Sequence, residues 1–85
     1  MEPPMNEDQL LQVAQRLVAD GLLPASSDGV HSFGGRSRGA LCGLCSVQMS
    51  CEDAEIELAW EHAGLLRVAV LHPWCHVIWT AATRA

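Results

Sequence analysis

The fold is determined mainly by two short motifs, Cys42-Gly43-Leu44-Cys45 and His72-Pro73-Trp74-Cys75. They are separated by 26 residues. Each stretch holds two metal-ligating side chains separated by two residues, a spacing that lets both reach one ion from a single tight turn. Zn²⁺ prefers four nitrogen or sulfur ligands in a tetrahedron, and two such pairs supply them. We therefore predict one structural zinc ion bound by Cys42, Cys45, His72 and Cys75.

Two further residues compete for the fourth ligand position. Cys51 follows Cys45 after five residues and is close enough in sequence to swing inward. His76 is adjacent to Cys75, and adjacent residues of a helix point about 100° apart, so these two do not easily share one ion. We therefore prefer His72 and keep Cys51 and His76 as alternatives. Cys51 is then expected to be a small buried residue or, alternatively, a free thiol.

The four cysteines are also compatible with a redox-active dithiol or with disulfide bonds. In a reducing cytoplasm, cysteines serve more often as metal ligands or redox groups than as structural disulfides. A site closed by four protein ligands leaves no position for a metal-bound water, which hydrolytic zinc chemistry requires. No acid–base pair or activated nucleophile stands out elsewhere in the sequence. We therefore expect one structural zinc, no catalytic residues and no enzyme.

The residues between the two ligand pairs alternate in polarity, as the residues of β-strands do. One face of the first predicted strand is apolar and consists of Ile56, Leu58 and Trp60. The alternation returns after the glycine-containing segment 61–64, at Leu66, Val68 and Val70. We predict a β-hairpin with these apolar residues on its core face. Continued alternation then places His72 on the core side of the second strand.

The C-terminal segment is predicted to be a helix that begins inside the second ligand pair. Pro73 suits the first position of a helix because its fixed φ is helical and its missing amide hydrogen is not needed there. Apolar residues recur behind it at helical spacing. They form the predicted stripe of this helix, which consists of Trp74, Val77, Ile78 and Ala81.

The N-terminal segment is predicted to be a helix from about Glu7 to Asp20. Asn6 and Gln9 have the spacing of a capping box, and Gly21 is placed to end the helix. Its apolar stripe, at three- and four-residue spacing, consists of Leu10, Val13, Ala14, Leu17 and Val18. This stripe either packs on the zinc-binding module or docks a helix of a partner, and the sequence favours the first interpretation.

One domain is expected overall, because 85 residues are too few for two independent cores. We divide it into an N-terminal amphipathic helix (1–24), a flexible connector (25–40) and a zinc-binding module (41–85). Phe33 is expected to pin the connector to the domain, and Arg36 and Arg38 are expected to be solvated. The predicted fold class is a small zinc-stabilised α+β domain in which a helix, a zinc knuckle, a β-hairpin and a second knuckle opening a C-terminal helix follow one another.

The charge of the chain restricts its partners. It has five arginines, no lysine and ten acidic residues, for a formal net charge of −5. Neutralisation of phosphates dominates nucleic-acid affinity, so this balance does not favour nucleic acid as a partner. The N-terminus has no basic and apolar leader, and the most apolar stretch, 65–79, is interrupted by Arg67, two histidines and a proline. We expect a soluble cytoplasmic protein without a membrane segment.

The ligand pattern resembles that of treble-clef and LIM-like zinc fingers, in which Cys-x-x-Cys, a hairpin and His-x-x-Cys opening a helix follow one another. It is more similar to a group of short bacterial proteins of uncharacterised function, over residues 17–79. The shared features besides the ligands are Gly34-Gly35, Glu55, Glu57 and Trp79. The resemblance implies a treble-clef-like fold and the same four ligands, and it implies no activity. The longer spacer and the missing second finger depart from the LIM pattern, so a two-zinc scaffold is not implied.

The function that the sequence favours is that of a small zinc-binding protein acting as a non-enzymatic protein-interaction or regulatory module. Trp60, Trp74 and Trp79 are a large aromatic supply for one small core, and tryptophan is enriched at interaction hot spots. The expected partner is another protein or a second copy of the chain. A thiol-based redox or zinc sensor is one alternative, and a nucleic-acid-binding zinc finger, which the acidic charge disfavours, is another.

Overall fold

The computed structural model describes residues 6–84, which form two helices and a three-stranded sheet. The elements in chain order are α1 (Glu7–Ala19), β1 (His31–Arg36), β2 (Ala54–His62), β3 (Leu65–Leu71) and α2 (Pro73–Ala82). The prediction of no secretion signal rests on the segment that begins with residues 1–8, of which residues 1–5 lie outside the described range. Neither helix within that range combines the length and the apolar character that a membrane crossing needs.

Helix α1 has the boundaries that its end signals predict. The Asn6 side chain accepts a hydrogen bond from the Gln9 amide at 2.8 Å, and the Gln9 side chain accepts one from the Asn6 amide at 3.0 Å. At the other end, Gly21 has a φ of 78° and donates its amide to Val18, while Leu22 donates to Leu17. This pair of bonds is a Schellman motif, which satisfies the last carbonyls of the helix.

The hydrophobic core lies between the sheet and the helices. Helix α1 packs on α2, and α2 packs on β2 and β3. Leu10 and Ala14 of α1 are buried in the same cluster as Leu58 of β2 and Leu71 of β3. The stripe of α1 therefore packs within the domain, as the first of the two interpretations predicted.

The strands form one antiparallel sheet in the order β1-β2-β3. Strands β2 and β3 are the predicted hairpin, joined by Ala63 and Gly64, whose φ values of 54° and 80° are those of a type I′ turn. The predicted core face of β2 is confirmed, since Leu58 and Trp60 are buried. The hairpin itself therefore forms as its alternating pattern indicates.

The predicted core face of β3 is wrong. Register pairs Leu58 with Ala69, so Ala69 and the buried Leu71 share the inner face with the apolar residues of β2. Leu66 and Val68 point the other way and are exposed. His72 consequently does not continue an apolar core face, because alternation ends at Leu71, where the chain turns into α2.

The predicted stripe of α2 is only partly correct. Ile78 is buried, but Trp74 and Val77 are about half exposed, and the other buried residues of the helix are Cys75 and Trp79. The Trp79 indole Nε1 donates a buried hydrogen bond of 2.9 Å to the carbonyl of Pro24. This bond ties α2 to the segment that follows α1.

Strand β1 lies inside the predicted connector, where the sequence indicated no regular structure. His31 to Arg36 pair with β2 along their whole length, so backbone hydrogen bonds to β2 define this strand rather than a pattern of side chains. Phe33 is 56% exposed and does not pin the segment to the core, contrary to prediction. Arg36 and Arg38 are exposed, as expected.

Candidate metal centre

Four predicted ligand residues converge at one place, and we call them the ligand cluster: Cys42, Cys45, His72 and Cys75. Their ligand atoms all lie within 4.8 Å of one another. Cys42 and Cys75 are buried, whereas Cys45 and His72 are partly exposed. The prediction that these side chains come together is confirmed, and the arrangement is that of a metal site.

The first pair of ligands lies in a tight loop, residues 41–48, which we call the knuckle. A β-bridge between Leu41 and Gln48 closes the loop. Inside it the Ser46 amide donates to the Cys42 carbonyl at 3.0 Å, and the Leu44 amide points at the Cys42 Sγ at 3.4 Å. These bonds hold the two cysteine side chains on the same side of the loop.

The sharp bend of the knuckle is at Ser46 rather than at Gly43. Ser46 has a φ of 63°, and Gly43 is not among the residues with positive φ. Gly43 contacts β3 through its backbone, because its amide donates to the Val70 carbonyl at 2.7 Å. A Cβ at this position would meet Leu71 and Val70 atoms at 3.5 Å. Gly43 thus fastens the knuckle to β3.

The second pair of ligands is positioned by the start of α2. His72 is the N-cap residue, and its carbonyl accepts the first helical bond from the His76 amide at 2.9 Å. The His72 Nδ1 lies 3.4 Å from the Cys45 Sγ and 3.9 Å from the Cys75 Sγ. A tetrahedral zinc separates a sulfur from a nitrogen ligand by about 3.6 Å. The spacing therefore fits zinc binding through Nδ1.

The thiols of the ligand cluster affect one another's protonation. The side-chain hydrogen bond from Cys75 is the main cause that lowers the pKa of Cys42 to about 4, against the opposing effect of burial. The same bond is the main cause that raises the pKa of Cys75, with burial and the neighbouring negative charges adding to it. Burial is the main cause that raises the pKa of Cys45. Without a cation the cluster thus favours one thiolate and two thiols, and a bound cation would favour three thiolates.

The two competing residues lie outside the ligand cluster. Cys51 is exposed in the loop before β2, so the expectation of a buried residue is wrong and the alternative of a free thiol is correct. The His76 ring lies 5.6 Å from the Trp79 ring, in a tilted arrangement. Among residues 6–84, the sequence missed no further member of the cluster. It did miss the turn at Ser46, for which a serine gives no signal.

The chain matches no protein-family model, no curated protein and no solved structure. The resemblance to treble-clef and LIM-like zinc fingers therefore stays a prediction. Support for a metal site comes from the geometry of the ligand cluster and from the chemistry of its donor atoms.

Proposed function

We propose that this protein is a small zinc-binding, non-enzymatic module in which one zinc ion joins the knuckle to α2. The single observation that carries the proposal is the convergence of four soft ligand atoms within 4.8 Å. Metal binding in such small domains supplies folding free energy directly, because the site does not exist in the unfolded chain. The zinc is thus proposed as part of the fold.

The donor set supports zinc as the metal. Three cysteine sulfurs and one imidazole nitrogen are a typical donor set of structural zinc sites, whereas Mg²⁺ and Ca²⁺ prefer oxygen ligands. Four protein ligands fill the coordination sphere, so no position is left for a reactive water. This closure supports a structural role and a non-enzymatic protein.

The order of the elements supports a treble-clef-like module. The knuckle carries the first two ligands, the β2–β3 hairpin follows, and α2 carries the last two at its first turn. The additional strand β1 and helix α1 would then be elaborations that complete the core around this module.

The proposed role of the module is to bind another protein. Trp74 and Val77 are about half exposed, lie three residues apart on α2 and flank the ligand residue Cys75. Exposed aromatic and aliphatic side chains held on a rigid support are typical of interaction surfaces. The acidic net charge of −5 supports a protein partner over nucleic acid.

A second candidate function, a thiol-based sensor, is favoured by the unequal burial of the ligands. Cys45 is partly exposed, whereas Cys42 and Cys75 are buried. Hydrogen peroxide would oxidise the Cys45 thiolate to a sulfenate and be reduced to water, which removes one zinc ligand. Release of zinc by micromolar peroxide, followed with a chromogenic zinc chelator, would favour this candidate over a purely structural zinc.

The decisive experiment is a zinc titration of the metal-free protein. We expect one zinc per chain by native mass spectrometry and, at pH 7, a release of protons as zinc binds. The reason is that cysteines bind zinc as thiolates, so thiols that are protonated in the metal-free chain must lose their protons on binding. Zinc affinity should accordingly fall as pH is lowered. A protein that folds cooperatively without metal and binds none would refute the proposal.

A further inference from the structure

The face of the sheet turned away from the helices carries exposed apolar side chains on both edge strands. We call it the outer face, and its residues by register are His31, Phe33 and Gly35 on β1, Glu55, Glu57, Ala59 and Glu61 on β2, and Leu66, Val68 and Val70 on β3. Leu66 is 72% exposed, Phe33 56% and Val68 54%. Three large apolar side chains so exposed on one small sheet are typical of a surface that another molecule covers.

The middle of the outer face is acidic. Glu55, Glu57 and Glu61 project from β2, the central strand, and only Ala59 interrupts the row. Phe33 and Val70 pair with Glu57 from the two sides, and Val68 and Leu66 pair with the next two outward positions. The outer face is therefore a row of carboxylates with Phe33 on one side and Leu66, Val68 and Val70 on the other, which is complementary to a row of cations with apolar residues on both sides.

Addition of a strand to the sheet edge fits this surface poorly. The carbonyl of Val70 already accepts the Gly43 amide at 2.7 Å, so the knuckle occupies the C-terminal part of the β3 edge. The other edge strand, β1, has two consecutive glycines, Gly34 and Gly35, which weaken strand pairing. A partner is thus expected to pack on the outer face rather than to extend the sheet.

The dimensions of the outer face fit one helix. Neighbouring strands lie about 4.8 Å apart, so the two edge strands β1 and β3 are about 10 Å apart. This distance is close to the diameter of a helix. Alternate residues of a strand, such as Glu55 and Glu57, are about 6.8 Å apart. Residues one turn apart on a helix are separated by about 5 to 6 Å. A helix lying along β2 can therefore place one cation near each carboxylate.

We propose that the outer face docks a basic amphipathic helix of another protein, with its arginine or lysine stripe over Glu57 and Glu61 and its apolar flanks on Phe33 and Val68. The proposal rests on the function proposed above and names the partner's chemistry. A second copy of the chain is a poorer occupant, because two outer faces would bring two glutamate rows together in a pair of chains that each carry a net charge of −5.

The test uses the full zinc-loaded chain and a fluorescein-labelled synthetic helix of about 16 residues, with lysines in one stripe and leucines on both sides. We expect saturable binding by fluorescence anisotropy that weakens as salt is raised, because exposed ion pairs are screened. A control peptide with glutamate at every lysine position should not bind. Absence of binding by the lysine peptide, or equal binding by both peptides, overturns the proposal.

Two variants and two matched controls locate the contact. Glu57→Gln with Glu61→Gln should weaken binding about tenfold, whereas Glu7→Gln with Asp20→Asn removes the same charge from α1 and should change it less than twofold. Leu66→Ser should weaken binding about tenfold, and Leu41→Ser in the knuckle, at a leucine that is also exposed, should not. Equal effects of the variants and their controls would overturn the assignment to the outer face.

Zinc content and light scattering on the same samples separate the possible failures. A sample that contains one zinc per chain but does not bind the lysine peptide would contradict the docking proposal. It would not contradict the proposed zinc-binding function. A sample without zinc removes the proposed function, whatever the peptide does. A dimer that Leu66→Ser dissociates would show that a second copy covers the outer face, which also overturns the proposal.

Discussion

The two ends of helix α1 are capped by hydrogen bonds between residues that are close in sequence. The start of helix α2 instead lies where residues from distant parts of the chain come into contact. Asn6 and Gln9 cap α1 through side chains three residues apart, and Gly21 closes it. The N-cap residue of α2, His72, makes no side-chain capping bond. Its imidazole faces the Cys45 sulfur at 3.4 Å instead.

The boundaries of these two helices, which are similar in length, therefore depend on different parts of the sequence. The boundaries of α1 follow from a window of about 17 residues, as capping rules predict. The start of α2 depends on a loop 27 residues earlier in the chain, through the Cys45–His72 contact. Loss of a cap should therefore have a local and modest effect, and loss of a ligand a global and large one.

The largest effect is expected for Cys75→Ser. Removal of this buried ligand should lower zinc content below one per chain and lower the free energy of unfolding by more than about 5 kcal/mol, because zinc binding supplies about 10–16 kcal/mol in small zinc domains. Circular dichroism with and without a chelator, together with elemental analysis, measures both effects. Cys51→Ser is the matched control, since Cys51 is exposed and outside the ligand cluster. A Cys75→Ser protein with full zinc content would contradict the assignment of this residue as a ligand.

A smaller but still large effect is expected for Trp79→Ala. This side chain is buried and donates a hydrogen bond to the Pro24 carbonyl, so its truncation should lower the free energy of unfolding by about 3–5 kcal/mol. Trp74→Ala on the same helix is the control, because Trp74 is 53% exposed and should change stability by less than about 1 kcal/mol. Denaturant unfolding of the zinc-loaded proteins measures the difference. Equal effects would contradict the observed orientation of α2.

Trp79→Phe separates the two contributions of that side chain. It keeps most of the apolar volume and leaves the buried Pro24 carbonyl without its donor, which should by itself lower the free energy of unfolding by about 1–3 kcal/mol. A Trp79→Phe protein as stable as the parent would mean that the hydrogen bond adds nothing measurable.

Features that depend on residues close in sequence could be predicted more fully than features that depend on long-range pairing. The bounds of α1, the hairpin and the convergence of the ligand cluster followed from short motifs with specific spacing. The inner face of β3 did not, because Leu66, Val68 and Val70 look more apolar than Ala69 and Leu71. Pairing with β2 decides that face, and the pairing is a long-range contact.

The buried face of α2 could have been predicted from the ligand itself. A Cys75 side chain that points at the metal site fixes the rotation of the helix, and residues three and four positions later, Ile78 and Trp79, then face the same side. Apolar periodicity alone selected Trp74 and Val77. Strand β1 gave no such signal, because its glycines and polar residues resemble a connector and only backbone bonds to β2 define it.

The smallest effect is expected at the cap of α1, for Asn6→Ala. This change removes the acceptor for the Gln9 amide and should lower the free energy of unfolding by about 1 kcal/mol, with zinc content unchanged. Asn6→Asp retains a capping oxygen and places a negative charge at the positive end of the helix, so it should restore the loss. Denaturant unfolding and elemental analysis of both variants provide the measurement. Cys75→Ser is expected to release zinc, and Asn6→Ala is not. If Asn6→Ala also released zinc, the cap of α1 and the ligand cluster would be coupled. The stability of α1 would then not depend on local capping alone.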